Sequence, residues 1–261
     1  MTSTNHLSVR TNPAILRIAM WSGPRNISTA MMRAWENRPD TFVTDEPFYA
    51  HYLAHTGIKH PGYKDIIKSQ PTDWNMVVDQ CLTDTQKHCS IHYQKHMTHH
   101  VLPHISLDWL ASLRNIFLIR SPEAVVASYS KKRSDVHSED LGFEHQARLF
   151  KHVVNHIDNN PLVINSSDIL KKPKHAMKLL CEHCGIGFND SMLHWPAGPR
   201  ESDGIWARHW YHNVEQSTCF AAPAESQSSE TQPAQLSDSS RKIVMQCQPY
   251  YDVLAEHAVT F

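Results

Sequence analysis

A short polar turn near the start of the chain carries residue types that bind anions. The turn spans residues 23–29, Gly-Pro-Arg-Asn-Ile-Ser-Thr, and it follows an apolar segment, residues 14–21, and precedes a helix-like run. A strand, a tight turn and a helix in this order direct backbone N–H groups and the positive helix end toward one point. Arg25 adds a fixed positive charge there, and Ser28 and Thr29 add hydroxyl donors. The turn therefore predicts a phosphate-like ligand.

The turn differs from the magnesium-dependent loop that binds nucleoside triphosphates. That loop has a second glycine followed by a lysine and a hydroxyl residue, which contact the outer phosphates and the metal. Here the second glycine is missing, and Arg25 near the start of the turn replaces a lysine beside the hydroxyls. We therefore expect the turn to hold its anion without a metal.

A second candidate anion site follows the clearest buried strand, residues 115–119. Arg120 comes directly after this strand, and Ser128 lies eight residues later in the predicted helix that follows. About two helical turns bring Ser128 back over the strand end. Arginine binds phosphate through paired hydrogen bonds, and a hydroxyl adds a donor. Two separate anion sites predict a ligand with two separated anionic groups, although Arg120 alone is also compatible with a structural ion pair.

These segments resemble the nucleotide-binding segments of cytosolic-type sulfotransferases. Residues 119–129 are similar to the segment that holds the 3′-phosphate, including the spacing of Arg120 and Ser128. Residues 23–29 are similar to the 5′-phosphosulfate loop, with Arg25 where the family usually has lysine. The resemblance implies a P-loop NTPase-like sulfotransferase fold. It also implies transfer of a sulfuryl group from 3′-phosphoadenylyl sulfate (PAPS) to a hydroxyl or amine of a small-molecule acceptor, with no metal.

The resemblance implies which residues bind the donor. Its 5′-phosphosulfate would be held by the side chains and backbone of the first loop: Arg25, Asn26, Ile27, Ser28 and Thr29. Its 3′-phosphate would be held by Arg120 and Ser128. A late basic loop followed by Gly-Ile-Trp at residues 204–206 is similar to the loop that closes on the nucleotide, with its charge supplied by Arg200 or Arg208.

Two shorter segments narrow the resemblance to a bacterial and plant branch of the family. They are residues 45–49, Asp-Glu-Pro-Phe-Tyr, and residues 206–211, Trp-Ala-Arg-His-Trp-Tyr. Members of that branch occur alone or fused to other enzymes. The resemblance covers about residues 14–257.

Two candidates compete for the base that accepts the acceptor's proton. Glu46 follows the second predicted strand and resembles the acidic base of some carbohydrate and protein sulfotransferases. Its proline and aromatic neighbours would raise its pKa. The alternative is a histidine of residues 95–100, which are similar to the family's Lys-Thr-His element and supply the other catalytic candidates: Lys95, His96 and His99. In this resemblance, Lys95 would neutralise charge on the bridging oxygen. If the strand continues, Lys95, Met97 and His99 share one face, while His96 and His100 share the other.

The alternation of apolar strands and helices predicts an α/β fold of three layers, a parallel sheet with helices on both faces. The expected strands are residues 14–21, 41–45, 90–96, 115–119 and 161–165. We also expect an amphipathic helix over residues 105–113 and a last helix capped by Asp238. Ligands of such sheets bind beyond the carboxyl ends of the strands, where the polar candidates cluster.

The expected domain organisation follows from composition. Residues 1–13 predict a flexible tail, residues 14–220 a sulfotransferase-like α/β domain, and residues 221–237 a flexible linker rich in Ala, Ser, Gln, Pro and Glu. Residues 238–261 predict a C-terminal helix that packs on the same domain.

Charge and cysteine usage narrow the function classes. Lys plus Arg number 25 and Asp plus Glu number 26, so no overall field favours nucleic acid or an anionic membrane. No apolar leader or 18-residue apolar run occurs, and the six scattered cysteines fit a reducing cytoplasm. We expect no metal site and leave the oligomeric state, a homodimer included, open. Two other functions stay open: a P-loop small-molecule kinase and a catalytically silent nucleotide-binding module.

Overall fold

The computed structural model describes residues 15–130, 137–221 and 236–261. Its centre is a five-stranded parallel sheet with strand order β2-β3-β1-β4-β5. The strands are β1 Leu16–Ser22, β2 Thr41–Asp45, β3 Ile91–Met97, β4 Arg114–Ile119 and β5 Leu162–Asn165. The predicted α/β fold is confirmed, and each strand lies within two residues of its expected bounds.

Helices cover both faces of the sheet. They are α1 Ser28–Glu36, α2 Tyr49–Thr56, α3 Tyr63–Ser69, α4 Trp74–Thr83, α5 Pro122–Ser130, α6 Phe143–His156, α7 Ser166–Lys171, α8 Pro173–His183, α9 Ala207–Trp210, α10 His212–Glu215 and α11 Asp238–Ala255. In β1, Ile18 and Met20 pack with α1 and α8, whereas Ala19 and Trp21 pack with α4 and α6. The period-two alternation of the strand produces these two apolar layers.

Two expectations about helices differ from the structure. Residues 105–113 form only a 3-10 turn, Asp108–Ser112, in which the Leu113 amide donates to the Leu110 carbonyl oxygen at 3.1 Å. Asn115 Nδ2 donates to the same carbonyl oxygen at 2.8 Å. In α11 the cap is Ser237 rather than Asp238, since the Ser237 hydroxyl accepts a hydrogen bond from the Ser240 amide.

The C-terminal helix packs on the rest of the fold. Cys247 of α11 is buried against α5 residues Val125 and Val126, and Leu254 is buried in the layer that contains α6. The predicted tail and most of the predicted linker, residues 222–235, lie outside the described residues. Among the described helices, none combines the length and the apolar character needed to cross a bilayer.

Candidate active site

The first loop connects β1 to α1 in a strained conformation. Arg25 has φ 59° and Ile27 has φ 47°, both in the left-handed region. Such a backbone costs about 1–3 kcal/mol in a non-glycine residue and persists only where its surroundings fix it. Asn26 helps to fix the loop in this conformation, because its Nδ2 donates to the Leu118 carbonyl oxygen in β4 at 2.7 Å. Ile27 has no polar side chain to cap α1, so the amide groups of the first helical turn are left for a ligand.

Arg25, Arg120 and Ser128 meet although they are far apart in sequence. Arg25 Nε donates to Ser128 Oγ at 3.0 Å, and Arg120 Nη1 donates to the Arg25 carbonyl oxygen at 2.7 Å. Burial, together with the neighbouring charge of Arg120, lowers the pKa of Arg25. Within residues 15–130, 137–221 and 236–261, no carboxylate forms an ion pair with Arg25. Two arginines close enough for their charges to interact suit an anionic ligand.

A cavity of about 430 Å³ joins this arginine pair to the ends of β2 and β3. This volume lies within the roughly 300–1,000 Å³ that is typical of ligand sites. Most predicted site residues line it: Arg25, Asn26, Ile27, Ser28, Thr29, Glu46, Lys95, His99, Arg120 and Ser128. Asp140 and Tyr211 line it as well. The four strand ends that carry polar residues thus share one cavity.

Lys95 forms a buried cluster with two carboxylates and a tyrosine. Its Nζ lies 2.8 Å from Asp45 Oδ1, 2.5 Å from Glu46 Oε1 and 2.6 Å from the Tyr211 hydroxyl. Because an ammonium has three N–H donors, these partners occupy all of them. The side chain of Lys95 would therefore have to exchange a partner before it contacted a bridging oxygen of a donor.

The charges in this cluster do not balance. Burial raises the pKa of Glu46; Lys95 opposes this effect, and Asp45 adds to it. Burial alone would lower the pKa of Lys95, but Asp45 and Glu46 outweigh it and raise that pKa, so the ammonium stays charged. One ammonium thus neutralises one of two carboxylates. Glu46 is the carboxylate that faces the cavity with a raised pKa, as a general base requires.

His99 and His100 lie beside this cluster in an unexpected conformation. β3 ends at Met97, and a 3-10 turn over residues 98–100 follows, fixed by a hydrogen bond of 3.0 Å from Thr98 Oγ1 to the Gly142 carbonyl oxygen. The turn ends the strand alternation, so both His99 and His100 line the cavity instead of opposite faces. Among the described residues, neither Nδ1 has a hydrogen-bond partner.

Stacking fixes the His100 ring next to Glu46. Its centroid lies 4.5 Å from that of Tyr49 and 4.7 Å from that of Tyr52, and its Nδ1 lies 3.9 Å from Glu46 Oε2. Burial lowers the pKa of His99 to about 3 and the pKa of His100 well below its usual value. Both rings are therefore neutral at pH 7, and their low pKa makes each a weak proton acceptor.

Two predicted site residues lie elsewhere. His96 points to the other face of β3, where its ring stacks on Trp21 at 4.3 Å and its Nε2 contacts Gln94 Oε1 at 3.0 Å. It does not line the cavity. Arg200 does not line it either, because its Nη2 donates to the Pro196 carbonyl oxygen at 3.3 Å. Strand alternation keeps His96 out of the cavity, and the anchoring of the late loop keeps Arg200 out of it.

The late loop is anchored by a buried ion pair and a close packing contact. Arg33 Nη1 lies 2.6 Å from Asp203 Oδ1, and both side chains are buried. Gly204 lies against the Trp206 indole so closely that a Cβ at this position would be 2.0 Å from the ring. The Gly204 amide also donates to Asp45 Oδ2 at 3.1 Å. These contacts place Tyr211 over the Asp45 carboxylate.

Sequence reasoning did not assign Asp45 or Tyr211 to the site. The Tyr211 hydroxyl lies 2.8 Å and 2.7 Å from the two Asp45 oxygens. Two signals pointed toward them: Asp45 precedes Glu46 at a strand end, and Tyr211 ends the segment similar to the bacterial and plant branch. Their contact joins positions 166 residues apart, which no local pattern reveals.

The sheet and its helices define a P-loop-like α/β protein, and its cavity lies beyond the carboxyl ends of the strands. A comparison with protein families shows the family to which the chain belongs. Residues 16–256 match the family described as the sulfotransferase domain, and the chain belongs to that family.

Two proteins of a plant are similar to this chain in sequence. Branched-chain-amino-acid aminotransferase-like protein 2 of Arabidopsis thaliana is 29% identical over 240 residues, which are 92% of this chain and 41% of that protein. Aminotransferase-like protein 1 of the same plant is 28% identical over 242 residues, which are 92% of this chain and 42% of that protein. The chain thus spans about two fifths of these relatives, whose names describe the longer proteins.

Solved structures share the fold at low identity. A sulfotransferase domain from the curacin biosynthetic pathway has a TM-score of 0.56 and 15% identity, with 91% of this chain and 99% of that one covered. The sulfotransferase domain of the Synechococcus PCC 7002 olefin synthase has a TM-score of 0.54 and 16% identity, with 90% and 96% covered. These similarities support the three-layer fold described above.

Proposed function

We propose that the protein transfers a sulfuryl group from PAPS to a hydroxyl or amine of a small-molecule acceptor. The observation that carries this proposal is the meeting of Arg25, Arg120 and Ser128, which come from two distant segments, in the cavity that also contains Glu46. This constellation suits one anionic group of the donor, and the start of α1, which lines the same cavity, suits the other. Membership of the sulfotransferase family supports it.

The contacts suggest how the donor's two anionic groups divide between the segments. Arg25 points at Ser128 rather than along α1, so we assign both arginines and Ser128 to the 3′-phosphate. The loop backbone at Asn26 and Ile27, with the hydroxyls of Ser28 and Thr29, would then hold the 5′-phosphosulfate at the start of α1. This arrangement refines the assignment that the resemblance alone implies.

We propose Glu46 as the base. In the reaction, the acceptor oxygen or nitrogen forms a bond to sulfur while the bond from sulfur to the bridging oxygen breaks, and adenosine 3′,5′-bisphosphate leaves. The acceptor's proton passes to Glu46 Oε2, while Lys95 holds Oε1 at 2.5 Å. Positioning and charge stabilisation would supply most of the acceleration, as in phosphoryl transfer. The neutral rings of His99 and His100 are the alternative proton acceptors.

Binding of adenosine 3′,5′-bisphosphate tests the donor site. We expect this ligand to raise the melting temperature of the wild-type protein and Arg120→Ala to abolish most of that rise. Arg114→Ala is the matched control, because Arg114 is an exposed arginine at the other end of β4. The absence of any shift in the wild type would contradict the proposal. A shift with magnesium ATP but not with the bisphosphate would favour a kinase instead.

Turnover tests the reaction itself. Incubation with ³⁵S-labelled PAPS and a panel of phenols, alcohols and amines should give at least one labelled product. Tight bisphosphate binding without turnover across the panel would identify a silent nucleotide-binding module. The cytoplasmic location and the absence of nucleic-acid and membrane partners stay predictions.

A further inference from the structure

Three histidines form a cluster outside the candidate active site. His51 and His55 lie one turn apart in α2, and His104 comes from the segment that follows the 3-10 turn at residues 98–100. One ring nitrogen of each lies within 4.8 Å of the other two. His51 is fully buried, whereas His55 and His104 are exposed. The cluster is therefore open to solvent on one side and anchored on the other.

Hydrogen bonds fix the protonation pattern of two of the rings. His51 Nδ1 lies 2.7 Å from the Thr72 carbonyl oxygen, and His55 Nδ1 lies 3.0 Å from the His51 carbonyl oxygen. Because a carbonyl oxygen only accepts, each Nδ1 must carry the proton. Each Nε2 then presents a lone pair. Metal-binding histidines commonly have this arrangement, with the second nitrogen donating to a carbonyl.

The lone pair of His51 has no partner in the protein. Its Nε2 is buried without a hydrogen bond to any described residue. An unsatisfied buried nitrogen destabilises a fold, so its presence here calls for an explanation. Asp73 interacts electrostatically with His51 and supplies a negative charge nearby. A bound cation would satisfy the nitrogen and match that charge.

We propose that His51, His55 and His104 form a binding site for a first-row divalent metal such as Zn²⁺. Imidazole nitrogens are suitable ligands for zinc, copper and nickel. Tetrahedral zinc with bonds of about 2.0–2.1 Å brings its ligand nitrogens to about 3.3 Å from one another. The exposed rings of His55 and His104 can turn to close that distance around the fixed His51. Water would occupy the fourth position.

The metal site would connect α2, which packs against His100 of the candidate active site, to the segment that follows His99 and His100 in the chain. α2 carries Tyr49 and Tyr52, which stack on His100, and His104 lies four residues after His100. A metal shared by α2 and this segment would fix their relative position. The role that follows is structural, and it is independent of the proposed sulfuryl transfer.

Titration calorimetry with Zn²⁺ on the full chain, with any affinity tag removed, tests this site. We expect one zinc per chain and at least a tenfold loss of affinity in both His55→Ala and His104→Ala. These positions are exposed, so the variants should fold. The matched control is His156→Ala in α6, where His152 and His156 have the same spacing and a centroid distance of 4.9 Å but no third histidine in the described cluster. This control should bind zinc as tightly as the wild type.

A spectroscopic readout separates a defined site from loose adsorption. Co²⁺ in place of Zn²⁺ should give intense visible absorption bands of a four-coordinate site in the wild type and in His156→Ala, and should lose them in His55→Ala. Equal zinc affinity in His55→Ala and the wild type would overturn the proposal. Loss of binding only in His156→Ala would do so as well.

Discussion

Glu46 has a strained backbone, and its two carboxylate oxygens have different neighbours. Its φ is 42°, which is unusual for a glutamate. Its amide donates to the Lys95 carbonyl oxygen at 2.9 Å, and its own carbonyl accepts from the Tyr49 amide at 3.0 Å. Strain of this kind is kept where a side chain must point in one direction. One carboxylate oxygen is held by Lys95, and the other lies toward His100.

Replacing Glu46 with glutamine tests its role as the base. We expect Glu46→Gln to keep bisphosphate binding and to lower kcat by about 10²–10⁴-fold, because an amide does not accept the acceptor's proton. Steady-state kinetics with the best acceptor of the panel give this value. Glu182→Gln, at an exposed position of α8, should leave kcat unchanged.

The pH profile distinguishes Glu46 from the histidines. Burial raises the pKa of Glu46, so the rate should fall as the pH drops below that raised pKa and the carboxylate is protonated. The rate should show the same acid limb in His99→Ala. If Glu46→Gln retains full activity and His99→Ala loses it, the base is a histidine.

At the scale of elements, the turn between β1 and α1 depends on a glycine. A Cβ at position 23 would lie 2.6 Å from the Leu141 carbonyl oxygen, a distance that requires the backbone to shift. We expect Gly23→Ala to destabilise the protein by about 1–3 kcal/mol in urea unfolding and to weaken bisphosphate binding. Gly187→Ala is the control, since a Cβ there meets nothing within 4 Å. Equal stability of both variants would contradict this reading of the turn.

The elements show why some positions were predictable and others were not. β4 and β5 are short apolar runs that end in polar residues, and this local pattern fixes a buried parallel strand. The turn at residues 98–100 depends on the distant Gly142 carbonyl, so the sequence left open whether the strand continued through these residues. His51 and His55 did carry a local signal, two histidines four residues apart on a helix, but only the fold adds His104.

Long-range ion pairs explain the remaining differences at the site. The late loop was expected to bring Arg200 or Arg208 to the nucleotide. The ion pair between Arg33 and Asp203 anchors that loop, and Arg200 turns toward Pro196. The partner of a buried charge depends on tertiary structure, which the amino-acid order alone does not specify. The Arg120 and Ser128 spacing, in contrast, is fixed by one strand and one helix and was predictable.

At the scale of the whole molecule, buried histidines predict acid sensitivity. Burial lowers the pKa of several rings from the usual value: His51, His92, His96, His99, His100, His145, His152 and His183. For His92 the pKa falls to about 4, and for His96 to about 3. The unfolded chain therefore binds more protons than the folded protein does below about pH 6.5.

The free energy of unfolding should consequently be greatest above about pH 6.5. Below that value, each such histidine should remove about 1.4 kcal/mol per pH unit until its folded pKa is reached. Urea unfolding at pH 8, 7, 6 and 5.5 measures this slope. We expect His92→Gln to reduce the slope, since it removes one titrating ring. Constant stability from pH 8 to pH 5.5 would contradict the prediction.

The contact between Arg25 and Arg120 has a practical consequence. The charge of Arg120 lowers the pKa of Arg25, so a small oxyanion near the two arginines would be attracted by both charges. Inorganic sulfate and phosphate from common purification buffers would compete with the nucleotide and raise its apparent dissociation constant. Chloride or acetate salts at matched ionic strength would give the intrinsic affinity for the nucleotide. The ratio of the dissociation constants in sulfate and in chloride would measure how strongly Arg25 and Arg120 bind inorganic anions.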